Sequence, residues 1–146
     1  MKGSFPIEKF NTVRTPFYYY DTELLRKTLD TIKSETGKND NYHVHYAVKA
    51  NANRKLLRII CAAGFGADCV SGEIKACLDA GFPADKIVFA GVGKSDWEIN
   101  VGLDAGIAYF NVESIPELEV INQLAGEKDK IARVSFRINP DVGAPT

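Results

Sequence analysis

The sequence is poor in cysteine, carries almost no net charge and has no long apolar run, and each shortage removes a class of protein. The three cysteines among 146 residues, Cys61, Cys69 and Cys77, are too few and too evenly spread for a disulfide framework. They also lack the close pairing of a zinc site, so no metal is expected. They read as small buried hydrophobes, Cys61 and Cys77 on helices and Cys69 in a strand. The 18 Lys and Arg nearly balance the 19 Asp and Glu, for a net charge of −1. Without a basic stripe or a like-charge block, nucleic acid and membrane surfaces are poor partners, and a small-molecule ligand is expected. No run approaches a membrane span. Met1–Phe10 mixes Lys2, Glu8 and Lys9 with no apolar segment, unlike a signal peptide. A cytoplasmic location is the expectation, and the length suits one domain with a real core.

What is present is a repeat. Apolar strand-like runs recur at Tyr42–Asn51, Ala67–Ser71, Ile87–Gly91, Tyr109–Ser114 and Arg133–Pro140. Between them lie helical spacings: Leu56, Leu57 and Ile60; Ile74 and Leu78; Trp97 and Val101; Leu118, Ile121 and Leu124. The strands begin every 20 to 25 residues, the period of a βα unit. Ala63-Gly64-Phe65, Ala80-Gly81-Phe82 and Ala105-Gly106-Ile107 each close a helix with a glycine able to turn left-handed and an apolar residue to fold back. Ala125-Gly126-Glu127 keeps only the glycine. Ser95-Asp96-Trp97-Glu98 and Ser114-Ile115-Pro116-Glu117 fit capping boxes, and Trp97 fits the buried face of its helix.

Unbroken βα repetition implies a parallel sheet, either open and doubly wound or closed as a barrel. Polar residues gather where the strands end: Lys49 and Asn51, Ser71, Glu113 and Ser114, Arg137 and Asn139. Drawing site residues from several strand ends is the habit of a barrel. Upstream, Thr15–Asp21 reads as an additional strand and Thr22–Glu35 as an amphipathic helix with Leu25, Leu29 and Ile32, closed near Gly37. A boundary is expected between this segment, 1–37, and the repeat, 38–146.

Within the first strand run, alternation places His43, His45, Ala47 and Lys49 on one face. A lysine delivered from an apolar strand into a turn is costly to desolvate while charged, which favours the free amine that a Schiff base with an aldehyde cofactor needs. The plain alternative is a solvent-facing lysine where the strand stops. Two other motifs lead elsewhere. Gly91-Val92-Gly93-Lys94-Ser95 resembles the end of a P-loop, yet Val88 stands where the first glycine belongs, so nucleoside triphosphate binding is not expected. His43 and His45 open their strand and lie toward the mouth opposite Lys49, where packing is their better reading.

The ordered motifs resemble one family. Tyr46-Ala47-Val48-Lys49-Ala50-Asn51 resembles the cofactor-lysine segment of pyridoxal-phosphate enzymes with an alanine-racemase-like barrel. Asn53-Arg54-Lys55-Leu56-Leu57 follows it as in the decarboxylases of that group. Gly66-Ala67-Asp68-Cys69-Val70-Ser71-Gly72-Glu73, Gly93-Lys94-Ser95, Asn111-Val112-Glu113-Ser114 and Phe136-Arg137-Ile138-Asn139-Pro140-Asp141 continue the order. The set is most similar to the diaminopimelate decarboxylase family. The resemblance implies a (β/α)8 barrel cut after about its fifth strand, with a C-terminal β-domain beyond Thr146. It implies pyridoxal 5'-phosphate held through Lys49, Ala47, Asp68 and Arg137, Lys49 being the catalytic residue. It further implies decarboxylation of meso-2,6-diaminopimelate to L-lysine by a homodimer, the last step of lysine biosynthesis.

This chain departs from the pattern by one glycine at Ser71-Gly72-Glu73, which leaves Glu73 without a firm place. Two alternatives stay open: a sister decarboxylase of ornithine, arginine or carboxynorspermidine, and a non-catalytic pyridoxal-phosphate carrier. Five parallel strands alone would leave two sheet edges and an unfilled interior, so the 146-residue piece by itself is expected to associate and to be inactive.

Overall fold

The computed structural model describes residues 5–138, Pro140 and Gly143. Asn139 and Asp141 of the last motif lie outside the described residues. The chain divides into two compact units, one ending at Tyr42 and one beginning at His43.

The first unit holds α1 (Ile7–Phe10) and α2 (Thr22–Thr36). Asp21 caps α2 by accepting from the Leu24 N–H at 2.9 Å. The Phe10 ring packs 5.3 Å from Phe17 and 5.1 Å from Tyr19. The strand expected at Thr15–Asp21 does not form, and the segment joins no sheet. Its tyrosines have strand propensity, but Pro16 has no N–H to give a ladder, and propensity without a partner edge makes no strand.

The second unit alternates β1 (His45–Ala47), α3 (Arg54–Ala62), β2 (Gly66–Cys69), α4 (Glu73–Ala80), β3 (Ile87–Phe89), α5 (Asp96–Ala105), β4 (Tyr109–Val112), α6 (Ile115–Glu127) and β5 (Val134–Phe136). All pairings are parallel, and the strands stand in chain order from β1 to β5. A doubly wound sheet reverses its strand order at a switch point, whereas a barrel does not, so this order is a barrel's. The strands are shorter than their apolar runs. The first run keeps only three residues as strand, because Val48–Ala50 turns into a single 3₁₀ turn.

The core lies between sheet and helices, where Leu57, Ile60, Ile87, Phe89, Ile99, Phe110 and Ile121 are fully buried. Phe89 and Phe110 are register partners on β3 and β4, and their rings meet edge to face at 6.3 Å. Gly81 and Gly106 close α4 and α5 in the left-handed conformation. Gly126 does not close α6. The helix runs through it to Glu127, and Asp129 takes the positive φ instead, at 53°.

The inward face of α5 also differs from the expected one. Trp97 is 59 % exposed, while Glu98, Ile99, Gly102 and Leu103 are buried. The helix is rotated because Glu98 has hydrogen-bond partners inside and Gly102 lets α5 close on β4. A Cβ on Gly102 would stand 2.9 Å from Phe110 Cζ. His45 packs as expected, its ring lying over Gly66, whereas His43 is exposed.

Candidate functional site

Sheet alternation sorts the candidate residues. Cys69 Sγ meets Cys77 Sγ of α4 at 3.6 Å, so Ala67 and Cys69 face the helices. Asp68 points to the opposite side of the sheet, the interior of a barrel. Ala47 of β1 is its register partner and shares that side. Asp68 Oδ1 is buried and, among the described residues, accepts no hydrogen bond, although buried carboxylate oxygens ordinarily have a donor. This oxygen asks for a donor or a cation from outside the chain.

Lys49 follows Ala47 by two residues but sits within the 3₁₀ turn, not on the strand, so strand alternation no longer sets its direction. The turn is fastened by the Asn51 N–H donating to the Val48 carbonyl at 3.0 Å and by the Tyr46 hydroxyl donating to the Asn51 carbonyl at 3.2 Å. Lys49 is exposed, not drawn into an apolar setting by these residues. The small Ala47 side chain, the turn that presents Lys49 and the unpaired Asp68 oxygen fit an aldehyde cofactor with hydrogen-bonding ring groups.

Arg137 follows β5, at the far end of the strand order from β1. Its Nη1 donates to Glu113 Oε1 and Oε2 at 3.3 and 3.1 Å. Glu73 Oε2 accepts from the Val70 N–H at 2.8 Å and thereby fastens the turn into α4.

Three carboxylates that sequence patterning reads only as caps or strand ends link neighbouring βα loops. Buried Glu98 accepts from the Gly72 N–H at 2.6 Å and the Ser95 N–H at 3.0 Å, and from the Ser95 hydroxyl, forming the expected capping box and a bridge beyond it. Burial works against its charge, but these hydrogen bonds hold the carboxyl below the ordinary glutamate value. Glu113 accepts from the Gly91 N–H at 3.1 Å. Glu117 accepts from the Glu113 N–H at 3.2 Å and from Lys94 at 2.6 Å. The second capping box is therefore half formed: Ser114 Oγ accepts from the Glu117 N–H at 3.3 Å, while the Glu117 carboxylate is drawn elsewhere. Lys94 also donates to the carbonyls of Gly91 and Asn111 at 2.7 and 2.8 Å. The lysine of the P-loop-like stretch thus faces inward and is fully engaged, unlike one that cradles phosphate. A signal for this network was present in the glutamates that recur as third residues of α5 and α6.

A family profile described as the pyridoxal binding domain of pyridoxal-dependent decarboxylases matches residues 23–146. The chain belongs to the pyridoxal-dependent decarboxylases. It is 69 % identical, across its whole length, to the diaminopimelate decarboxylase of Bacteroides thetaiotaomicron, and 44 % identical over 95 % of its length to that of Helicobacter pylori. It spans 38 % and 34 % of those two proteins, little more than a third. The crystal structure of Helicobacter pylori diaminopimelate decarboxylase complexed with L-lysine superposes with a TM-score of 0.88 at 42 % identity, covering 96 % of this chain and 36 % of that one. Lysine/ornithine decarboxylase from Vibrio vulnificus, complexed with putrescine, matches at a TM-score of 0.65 and 25 % identity, covering 80 % of this chain and 30 % of that one. The five-strand parallel sheet thus matches the pyridoxal-binding barrel domain of these decarboxylases. Among the described residues, no helix of this decarboxylase-family chain is long and apolar enough to cross a membrane.

Proposed function

We propose that this chain is the cofactor-binding portion of an enzyme that decarboxylates meso-2,6-diaminopimelate to L-lysine and carbon dioxide, with Lys49 as the catalytic residue. The observation that carries the reading is Asp68 Oδ1, buried on the interior side of the sheet and without a donor among the described residues. An unmade hydrogen bond of this kind costs about 1–3 kcal/mol, a cost that a bound donor removes. Bound there, pyridoxal phosphate supplies an electron sink for the pair left behind when carbon dioxide departs.

The chain's own residues bind and orient. Lys49 offers its amine to the cofactor's aldehyde from the rigid turn after β1. Asp68 accepts from the donor set brought close to it and holds that set in place. Ala47 leaves the space between them open. Arg137 lends positive charge to the cofactor's oxygen side. A homodimer acting on a small amino acid in the cytoplasm completes the reading. The choice of substrate rests on the 69 % identity to a diaminopimelate decarboxylase, against 25 % for the lysine/ornithine enzyme.

The test is carbon dioxide release by the complete protein from diaminopimelate, ornithine, arginine and carboxynorspermidine, with the Lys49→Ala variant beside it. Release from diaminopimelate alone, abolished by Lys49→Ala, is expected. Preference for another amine would reassign the substrate, and cofactor binding with no release from any would make the protein a carrier.

A further inference from the structure

The Glu113 side chain is 8 % exposed, whereas that of its partner Arg137 is 59 % exposed. The two meet because β4 and β5 are in register: the Arg137 N–H donates to the Val112 carbonyl at 3.0 Å, which sets the arginine beside the residue that follows β4. Glu113 is held in turn. The Gly91 N–H donates to Oε1 at 3.1 Å, and the Glu117 carboxylate accepts from the Glu113 N–H. Lys94 seals this arrangement by donating to both the Gly91 carbonyl and Glu117. A fixed carboxylate thus holds Nη1 of a guanidinium whose side chain stays largely exposed. Desolvation opposes the charge on Glu113, but Gly91 and Arg137 keep its carboxyl below the ordinary value.

We propose that Glu113 is a positioning residue that aims Arg137 at the bound cofactor. The inference rests on the placement of Arg137 at the cofactor proposed above. An arginine on a flexible stem recognises an acceptor better when one edge of its fork is already fixed. The geometry separates this role from a structural one. Glutamine at 113 has the same shape and can still accept from Gly91 through Oε1. Its amide would face Arg137 with N–H groups in place of Oε2 and would drop the charge.

The test titrates the complete cofactor-free protein with pyridoxal phosphate, following absorbance, for Glu113→Gln, Glu113→Asp, Arg137→Ala and the Glu113→Gln/Arg137→Ala pair. Glu113→Gln is expected to weaken binding about tenfold, and the double variant to bind no worse than Arg137→Ala alone, the non-additivity of residues that act as one. Glu113→Asp, which keeps the charge, is expected to recover part of the loss, and it carries the test if the glutamine variant does not fold. Unchanged binding by Arg137→Ala would overturn the placement of Arg137, and the inference with it. Weakened binding by Arg137→Ala, combined with an unaffected Glu113→Gln or with losses that multiply, would overturn the positioning role alone. So would an aspartate variant no better than glutamine.

Discussion

Lys94 Nζ and Glu117 Oε1 lie 2.6 Å apart with 1 % and 11 % of their side chains exposed, a buried ion pair between the β3–α5 loop and α6. The lysine also satisfies the two carbonyls of Gly91 and Asn111 and stands 5.5 Å from the Phe89 ring centre. Replacing it by methionine fills similar space but leaves the buried Glu117 carboxylate without its counter-charge and removes a donor from two carbonyls. Lys94→Met is expected to lower unfolding free energy by about 3–5 kcal/mol, measured by urea denaturation of the complete protein.

Asp68→Asn should separate stability from binding. Without cofactor, a neutral amide in place of a carboxylate whose Oδ1 lacks a donor among the described residues is expected to stabilise the protein by about 1 kcal/mol. Cofactor affinity should fall at least about tenfold with the loss of the charged acceptor. Thermal unfolding with and without pyridoxal phosphate reads both effects, and loss of stability in the cofactor-free state would contradict the role given to Oδ1.

Glu98 makes stability depend on acid. Its folded carboxyl titrates below the ordinary glutamate value of 4.5. As pH falls through 4.5 the unfolded chain takes up its proton first, and the contribution is lost as pH passes the folded value. Glu98→Gln is expected to be clearly less stable than the natural protein at neutral pH, with the gap narrowing in acid. Denaturation midpoints across that range check the slope.

Gly66 has no room for a side chain, since a Cβ would lie 2.6 Å from the Lys86 carbonyl oxygen and 2.4 Å from His45 Cδ2. The backbone oxygen cannot step aside. Gly66→Ala is expected to cost about 1–3 kcal/mol or more, whereas Gly93→Ala, where nothing crowds the added carbon, should cost much less. Paired melting curves make the comparison.

Thiol reactivity should follow burial. Cys69 and Cys77 are wholly buried against each other, and Cys61 is partly exposed. Burial pushes the Cys61 thiol up, with Lys86 opposing, so its alkylation is expected to be slow near neutral pH and to accelerate in alkali. Mass spectrometry of the folded protein should show Cys61 modified first.

The alternation of strand and helix was legible because glycines at 64, 81 and 106 must adopt positive φ where helices stop, and the structure shows that they do. Gly126 misled because α6 continues through it and Asp129 turns the chain instead. Trp97 misled because hydrophobicity alone set the phase of α5, while Glu98 is turned inward by hydrogen bonds that only folding reveals. Apolar runs marked the strands but not their ends, since Val48 and Ala50 extend the run around Lys49 yet lie in a turn. At the site, the pairing of Ala47 with Asp68 follows from consecutive parallel strands. The bond between Glu113 and Arg137 depends on side-chain reach across β4 and β5, which spacing along the chain does not encode.

The strict β1 to β5 order has a consequence for how the sheet is made. Each of β2 to β5 pairs with the strand synthesised just before it, about 20 residues back, so none of these four pairings waits for a distant segment. As the chain leaves the ribosome, each new βα unit can dock on a finished edge, and the sheet grows one strand at a time in the direction of translation.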